Sequence, residues 1–343
     1  MKAYKQAKDI KVAALGYGPS FHMGRAHLRE MAQAGMTPVA VCDIDPARLV
    51  AAEEEFPGIQ TYGHVNELLK KCDVDLVAVI TPHNTHAKLA LACLNAGRHV
   101  VTEKPFSVTT AECDAMIAAA KKNKVMLSTY HNRHWDGCIL NAMKHIGSGA
   151  IGGVVRVEGR MCGYSKPGDW WRTSKTISGG IMYDWGVHIL EYTLQIANSD
   201  IVEVTGFAKR GFWAPSTPWK EDTNEDEGQA VVRFSSGAWA SLTISSIESN
   251  PKRGMVEVTG TKGSYIFDCD TYEMITHDGA DTVVKKGKNP PGEGWAFYQN
   301  IADHLTKNEK LIISAEWARR PIHIIDLAYQ SAKKGKAIAA KYK

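Results

Sequence analysis

The sequence predicts an α/β protein with two domains, the first a doubly wound parallel sheet and the second an α/β domain with a large, mostly antiparallel open sheet. Strand and helix signals alternate through the first ~130 residues, because each parallel strand needs a crossover helix. Beyond His131 the strands become longer and follow one another directly, which favours antiparallel pairing. The chain has 343 residues, enough for two domains, and we place their boundary between residues 130 and 131.

The elements of the first domain are bounded by glycine, proline and aspartate, residues that end regular structure. The predicted strands cover residues 10–15, 38–42, 76–80, 100–101 and 125–129. Helices are predicted at residues 24–34, from residue 46 onward, at 86–96, and from 109 or 110 to 122. Asp45 and Pro46 suit an N-cap followed by the first helical position, because proline has no amide hydrogen that would need a partner there.

The second domain begins with a predicted helix and continues into alternating strands separated by Gly, Asn and Asp turns. The predicted strands cover residues 153–161, 201–209, 229–234, 238–247, 255–260 and 263–269. Helices are predicted at residues 137–146, 180–197, 295–305 and 315–333. The acidic stretch at residues 221–227 is expected to be a solvated loop, the usual place for a run of like charges.

Composition and charge argue against several functional classes. The chain is 44% hydrophobic and 23% charged, and its net charge of +4 is too small to predict nucleic acid or an anionic membrane as a partner. Its seven cysteines are scattered without a Cys-x-x-Cys spacing, so we expect neither a metal site nor a disulfide framework. The first residues lack the apolar core of a signal peptide, and no stretch approaches the length of a membrane span. We therefore expect a cytoplasmic protein.

The segment after the first strand predicts a dinucleotide site. Gly16-Tyr17-Gly18 follows the strand and Gly24 opens the helix, but five residues separate the second and third glycines where the ordinary fingerprint has two. Asp43 ends the second strand about twenty residues past Gly24, where a carboxylate can accept hydrogen bonds from the adenosine ribose hydroxyls. This carboxylate would repel a 2′-phosphate, which favours NAD over NADP.

Three side chains suit hydride transfer from a secondary alcohol. Lys104 stands between Glu103 and Pro105 after an apolar strand, at the sheet edge where α/β proteins bind ligands. Asp184 and His188 are four residues apart in a predicted helix and would share a face; mutual pairing in the core is the alternative. His188 suits the proton acceptor, since the usual pKa of histidine is about 6.5. Lys104 would polarise the reacting oxygen, and Asp184 would orient His188 or bind an adjacent hydroxyl.

Several motifs, in the right order along nearly the whole chain, resemble the Gfo/Idh/MocA oxidoreductases, NAD(P)-dependent enzymes that act mainly on sugars and cyclitols. These motifs are Glu103-Lys104-Pro105, Thr81-Pro82-His83-Asn84-Thr85-His86, Ala96-Gly97-Arg98-His99-Val100, Trp170-Trp171-Arg172-Thr173, residues 179–188 and Trp295-Ala296-Phe297-Tyr298. The resemblance implies a Rossmann domain at residues 1–130. It also implies a substrate-binding domain at residues 131–343, whose open sheet builds a homodimer or homotetramer.

The resemblance further implies that Lys104, Asp184 and His188 form the catalytic group. Together with the glycine turn, it gives the expected cofactor contacts as Gly16, Tyr17, Gly18, Ser20, Phe21, Asp43, Thr81, Pro82, Asn84, His86, Glu103, Lys104, Trp171 and Arg172. The long loop at residues 19–23 departs from the family's pattern. It leaves open which amides hold the pyrophosphate and whether Gly24 acts as the third glycine.

Substrate contacts are expected from Lys104, Asp184, His188 and Tyr164. The loop at residues 211–219 is rich in Trp and Pro, and is either a lid that stacks on a sugar ring or an apolar plug at a subunit interface. We expect an NAD-dependent sugar, glycoside or cyclitol dehydrogenase that oxidises a ring hydroxyl to a ketone, at C3 if the substrate is a glucoside. One alternative is glycoside cleavage or epimerisation through a transient keto-sugar with NAD recycled. The other is a non-catalytic NAD-binding sugar sensor.

Overall fold

Most of the strand and helix signals become regular elements in the computed structural model, which describes residues 4–342. The strands are β1 (Lys11–Leu15), β2 (Thr37–Cys42), β3 (Gln60–Tyr62), β4 (Leu76–Val79), β5 (His99–Thr102), β6 (Leu127–Thr129), β7 (Val154–Cys162), β8 (Ile201–Lys209), β9 (Glu227–Phe234), β10 (Trp239–Ser245), β11 (Val256–Gly260), β12 (Gly263–Phe267), β13 (Thr271–Asp278), β14 (Asp281–Lys288) and β15 (Ile338–Ala339). The helices are α1 (Met23–Gln33), α2 (Pro46–Glu55), α3 (Val65–Lys71), α4 (His86–Asn95), α5 (Thr110–Asn123), α6 (Gly137–Gly147), α7 (Lys175–Ser178), α8 (Gly186–Ala197), α9 (Ala296–Lys307) and α10 (Ala315–Lys334).

The chain divides into two units, each assembled from two stretches of sequence. The first unit contains residues 4–131 and 295–319, and the second contains residues 132–294 and 320–342. The whole of α9 therefore belongs to the first unit, although it follows the strands of the second along the chain.

A six-stranded sheet forms the centre of the first unit, in the order β3-β2-β1-β4-β5-β6. Every pairing in it is parallel, which confirms the predicted doubly wound sheet and gives it the Rossmann strand order. All residues of β4 and β5 are buried, as expected for strands covered on both faces. The strand order reverses between β1 and β4, so the carboxyl ends of these strands flank the crevice where such sheets bind ligands.

A nine-stranded sheet forms the second unit, in the order β14-β13-β12-β11-β7-β10-β9-β8-β15. Only the pair of β7 and β10 is parallel, and the other pairs are antiparallel, which confirms the predicted mostly antiparallel sheet. Helix α8 packs on β7 and β10, where two glycines allow a close approach. A Cβ on Gly159 would overlap the side chain of Ile189, and a Cβ on Gly186 would come within 3.0 Å of Leu242.

Two predictions for the second unit are wrong. The helix predicted at residues 180–197 is interrupted: a 3₁₀ turn (Ile181–Tyr183) comes first, and α8 begins only at Gly186. The acidic stretch at residues 221–227 is not a solvated loop, because Glu225 and Asp226 are 3% and 1% exposed. Both carboxylates have specific partners in the fold, which offset the cost of burying them.

No helix between residues 4 and 342 combines the length and the apolar character needed to cross a membrane. The same residues contain no group of three or more His, Cys, Asp or Glu side chains arranged to hold a metal ion.

Candidate active site

The glycine loop between β1 and α1 brings the helix start close to the ends of two strands. Gly16 has a φ of +107°, and a Cβ there would overlap the backbone carbonyl of Ile80. A Cβ on Gly24, in the first turn of α1, would come within 2.7 Å of both the Gly16 carbonyl oxygen and the ring of Tyr17. Gly24 therefore lets α1 pack closely on the loop, which is the role of the third glycine in a dinucleotide fingerprint.

Asp43 follows β2 and contacts the same loop. Its carboxylate accepts hydrogen bonds from the amides of Tyr17 (2.6 Å to Oδ2) and Asp45 (2.9 Å to Oδ1). These bonds fix the carboxylate but leave acceptor positions free, since a carboxylate offers about four. The loop and this carboxylate fit the pyrophosphate and the adenosine ribose of a dinucleotide.

The extra residues of the loop lie on the surface, whereas the Tyr17 side chain is buried beneath it. Phe21 is 63% exposed and has a positive φ of 59°. The predicted cofactor residues Gly18 and Ser20 are also exposed. The Tyr17 hydroxyl donates to Glu55 of α2 (2.5 Å), and Arg25 of α1 donates to the other oxygen of that carboxylate (2.9 Å). These bonds join α1 and α2.

The turn between β4 and α4 is fixed by a buried histidine. His86 is fully buried, and its two ring nitrogens lie 2.8 Å from the carbonyl oxygens of Thr81 and Pro105. Burial lowers the pKa of His86, although both carbonyls favour its protonated form. The other predicted cofactor residues of this turn, Pro82 and Asn84, are exposed. His86 thus ties the end of β4 to the segment that follows β5.

Lys104 follows β5 and precedes a cis peptide bond to Pro105. The Glu103 carboxylate accepts a hydrogen bond from the Lys104 amide (2.7 Å) and pairs with Nε2 of His27 from α1 (3.2 Å). Burial acts to raise the pKa of Glu103, but the bonds and charges of His27 and Lys104 outweigh it and hold that pKa below its usual value. Nδ1 of His27 bonds the hydroxyl of Tyr298 in α9 (2.5 Å). The segment that carries Lys104 is therefore anchored to two helices.

In the second unit, Asp184 and His188 lie on either side of a helix start. Asp184 precedes α8, which begins at Gly186, so the two residues do not share a helix face as predicted. The His188 side chain is almost completely buried, at 4% exposed. Its ring lies edge-on to that of Trp185, with 5.7 Å between the ring centroids. The guanidinium of Arg133 lies over the Trp185 ring, 4.7 Å from its centroid. These contacts fix the orientation of the first turn of α8.

Two predicted cofactor residues, Trp171 and Arg172, lie close to the predicted catalytic residue Asp184. Its NH1 lies 3.9 Å from Oδ1 of Asp184, whose side chain is 32% exposed. The same guanidinium lies over the rings of Trp170 (4.9 Å) and Trp171 (5.1 Å). Asn224 donates to the Arg172 carbonyl (2.7 Å), which fixes the backbone of this segment. Trp171, Arg172 and Asp184 therefore form one cluster.

The turn before α8 is held by a buried ion pair. Glu225 accepts from Nζ of Lys175 (2.8 Å), the hydroxyl of Tyr329 (2.9 Å) and the amide of Ile181 (3.2 Å). Burial acts to raise the pKa of Glu225, but Lys175 and the hydrogen bonds hold it below its usual value, while burial lowers the pKa of Lys175. Gly180 has a φ of +138°, and a Cβ there would come within 2.8 Å of the carboxylate. The turn therefore requires glycine.

Tyr164 belongs to an exposed aromatic cluster after β7. It is 57% exposed, and its ring contacts those of Phe212 (6.2 Å) and Trp213 (5.6 Å) edge to face. Asp226 accepts hydrogen bonds from the amides of both Phe212 (2.8 Å) and Trp213 (3.0 Å), which fixes the loop. The predicted substrate residue Tyr164 thus joins the Trp-rich loop.

Sequence reasoning missed His27 and Glu225, which position the groups above. His27 lies outside the glycine and lysine motifs. Glu225 is hidden in a run of carboxylates whose charge pattern is typical of solvated loops. Their partners are distant along the chain, for example Tyr298 for His27, so no local pattern could have revealed them.

Comparison with known proteins identifies the family. Residues 10–131 match the oxidoreductase family model with an NAD-binding Rossmann fold, and residues 139–266 match the GFO/IDH/MocA C-terminal domain. A myo-inositol 2-dehydrogenase of Thermotoga maritima is 31% identical over 71% of each chain. A scyllo-inositol 2-dehydrogenase (NADP⁺) of Bacillus subtilis is 24% identical over 100% of this chain and 99% of its own.

Among solved structures, a levoglucosan dehydrogenase in complex with NADH and levoglucosan shares the fold. It matches with a TM-score of 0.82 and 20% identity over 97% of this chain and 99% of its own. Two family models in tandem, the Rossmann strand order and the fixed carboxylate of Asp43 agree with one another. The chain therefore belongs to the Gfo/Idh/MocA family and is an NAD-binding oxidoreductase.

Proposed function

We propose that this oxidoreductase is a dehydrogenase for a sugar, glycoside or cyclitol, and that it oxidises a ring secondary hydroxyl to a ketone. For a glucoside we propose C3 as the oxidised carbon. The observation that carries the proposal is the start of α8, where the buried His188 follows the partly exposed Asp184, itself paired with Arg172. A proton acceptor and a hydroxyl-binding carboxylate a few residues apart suit a polyol substrate. Two relatives named inositol dehydrogenases support this substrate class.

Each catalytic group has one role in this proposal. His188 accepts the proton of the reacting hydroxyl, since the usual pKa of histidine, about 6.5, suits general base catalysis near neutral pH. Lys104 donates a hydrogen bond to the reacting oxygen. Asp184 accepts a hydrogen bond from a neighbouring hydroxyl, and the nearby guanidinium of Arg172 orients its carboxylate. Tyr164 offers an aromatic face to the sugar ring. NAD⁺, when bound, supplies the hydride acceptor.

The proposed cofactor contacts divide by the part of NAD that they recognise. Asp43 accepts from the ribose hydroxyls, and its charge disfavours the 2′-phosphate of NADP. The loop amides between Gly16 and Gly24 hold the pyrophosphate. The further contacts proposed come from the residues expected above: Thr81, Pro82, Asn84, His86, Glu103, Lys104, Trp171 and Arg172.

Purified protein with NAD⁺ and a panel of sugars, glycosides and inositols tests the function through the absorbance of NADH. We expect turnover with at least one polyol, and a loss of at least ~10² in kcat for His188→Ala. His277→Ala is the matched control, because His277 is an exposed histidine of β13 in the same unit. Equal kcat for the two variants would remove His188 from the mechanism. Failure of the whole panel both to reduce NAD⁺ and to give any product would favour a sugar sensor.

Glycoside cleavage or epimerisation with NAD recycled is the alternative use of the same residues. In that case product would accumulate without a matching amount of NADH. Stoichiometric NADH with a ketone product supports the dehydrogenase instead. Chromatography of the products, together with the absorbance measurement, distinguishes the dehydrogenase reaction from the NAD-recycling reaction.

We also propose a homodimer or homotetramer built on the nine-stranded sheet. Its strands carry large apolar side chains that are 37–58% exposed: Val155, Val202, Phe207, Trp239, Val283 and Val284. Burial of such side chains in a second copy would remove apolar surface from water. Sedimentation velocity should show Phe207→Asp with a smaller mass than the wild type. Ile312→Asp, at an exposed position of the first unit, should not change the mass.

A further inference from the structure

Two consecutive buried residues of the second unit contact both of the segments that carry Arg172 and Asp184. These two residues, Asn224 and Glu225, lie shortly before β9 and are 8% and 3% exposed. Arg172 lies in a short turn before α7, whereas Asp184 lies between the glycine turn and α8. One short piece of chain therefore meets two separate parts of the candidate site.

Asn224 holds the segment that carries Arg172. Its side-chain amide donates to the Arg172 carbonyl (2.7 Å), and its backbone amide donates to the Thr173 carbonyl (2.9 Å). Its side-chain oxygen accepts from the hydroxyl of Ser178 at the end of α7 (3.0 Å). The Ser178 hydroxyl in turn accepts from the amide of Gly180 (3.3 Å). Asn224 thus fixes the chain from Arg172 to the glycine turn.

Glu225 holds the turn that leads to Asp184. Its carboxylate accepts from the amide of Ile181 (3.2 Å) and from the hydroxyl of Tyr329 in α10 (2.9 Å). The amide of Met182 also points to the Tyr329 hydroxyl (3.5 Å). The two amides that precede Asp184 most closely in this turn therefore find their partners in distant parts of the chain.

A third residue of the acidic stretch contacts the same region. Asp222 accepts from the hydroxyl of Ser174 and from the amide of Thr176 (2.9 Å), in the first turn of α7. Burial of a polar or charged group costs free energy unless hydrogen bonds compensate it. Here the compensating bonds go to the segments around the candidate site, so the stretch that resembles a solvated loop serves to hold that site.

The two sets of bonds limit the distance between Arg172 and Asp184. NH1 of Arg172 lies 3.9 Å from Oδ1 of Asp184. One segment is bonded to Asn224 and the other to Glu225, and consecutive Cα atoms are only about 3.8 Å apart. The segments therefore cannot separate unless one of these hydrogen bonds breaks.

We propose that Asn224 and Glu225 are positioning residues, which keep Arg172 and Asp184 at the spacing needed to bind the substrate hydroxyl beside the reacting carbon. This rests on the proposed function, in which Asp184 accepts a hydrogen bond from that hydroxyl. Tyr329 supports the same spacing through Glu225. None of the three residues touches the substrate.

The kinetic test uses a polyol that the wild type oxidises, and analogues that lack the hydroxyl on one or the other side of the reacting carbon. Loss of the hydroxyl that Asp184 binds should lower kcat/KM of the wild type about 10–100-fold, as expected for a hydrogen bond to a charged group. In Asn224→Ala and Tyr329→Phe this ratio should fall to about a third of its wild-type value or less, because Asp184 is misplaced. Asn66→Ala is the control, because Asn66 is an exposed asparagine of α3, and it should keep the wild-type ratio.

Amide hydrogen exchange followed by mass spectrometry examines the turn without substrate. Peptides that cover residues 180–184 should exchange about 10-fold faster in Tyr329→Phe than in the wild type, because the turn loses a hydrogen bond to a charged group. This variant removes one oxygen atom and keeps the ring, so it serves even if Asn224→Ala fails to fold. Asn66→Ala should exchange as the wild type does.

Equal losses of kcat/KM on the polyol and on its deoxy analogues would overturn the proposal, because they would show a general effect on the fold. Unchanged exchange of the turn in Tyr329→Phe would overturn it as well. A wild type that oxidises no polyol would refute the proposed function itself. The two failures are therefore distinguishable.

Discussion

Replacement of Glu225 with glutamine should destabilise the second unit far more than the same change at a neighbouring carboxylate. Glu225 is 3% exposed and bonds Lys175, Tyr329 and the amide of Ile181. Glutamine keeps the size of the side chain but leaves the Lys175 charge without its counter-ion. Breaking a buried ion pair costs about 3–5 kcal/mol, and because the Lys175 side chain is 27% exposed we expect a loss of about 3 kcal/mol.

Thermal unfolding followed by calorimetry measures this loss. For a unit of this size about 1 kcal/mol lowers Tm by about 2–4 °C, so Glu225→Gln should lower Tm by about 6–12 °C. Glu221→Gln is the matched control, since Glu221 lies in the same acidic stretch but is exposed. Its effect should stay within about 0.5 kcal/mol. Equal Tm values for the two variants would refute the assignment of Glu225 as a buried anchor.

The pH dependence of the Tm difference between the wild type and Glu225→Gln shows whether the charge of Glu225 causes the stabilisation. The pKa of Glu225 is lowered from its usual 4.5 in the folded protein, so its carboxylate contributes stability above that pH and loses it as the pH falls through the folded value. The gap in Tm between the wild type and Glu225→Gln should therefore narrow in acid. A gap that stays constant down to the lowest pH at which the protein remains folded would show that charge is not the cause.

The remaining predictions concern the cofactor loop. Asp43→Asn should weaken NADH binding about 10–100-fold in a fluorescence titration, because a hydrogen bond to a charged group contributes about 1.5–3 kcal/mol; unchanged affinity would remove Asp43 from the ribose site. Gly16→Ala should also weaken NADH binding and lower Tm, since its Cβ would overlap the Ile80 carbonyl at a positive φ. Gly18→Ala is its control, because a Cβ there meets nothing within 4 Å, and it should keep its Tm.

Local sequence signals predicted the elements whose stability depends on near neighbours. Asp45 caps α2 through the amide of Ala47, with Pro46 in the first position, as the sequence indicated. Thr109 likewise caps α5. The strands β13 and β14 were missed because neither has a buried face: β13 is mostly half-buried and β14 is mostly exposed, so burial does not impose a strict alternation of apolar and polar side chains.

In the candidate site too, local signals predicted some features, while contacts between distant residues decided others. The Gly16–Gly24 loop and Asp43 were recognisable, because glycines after the first strand and an acidic residue about twenty positions past Gly24 follow the dinucleotide fingerprint, although the loop is longer than usual. The start of α8 was misplaced, because the turn before it is stabilised by Glu225 and Tyr329, which lie far along the chain. The helical periodicity of a sequence cannot show where such distant contacts replace the backbone hydrogen bonds of the helix.

By itself, the sequence determined the parallel and antiparallel sheets, the cofactor class and the residues to examine, because periodicity and motif spacing are local properties of the chain. Tertiary structure alone decided which charged groups are buried and what pairs with them. The Glu103–His27 and Glu225–Lys175 pairs each join residues from separate elements. Burial and pairing depend on how those elements pack, and packing is a property of the whole fold.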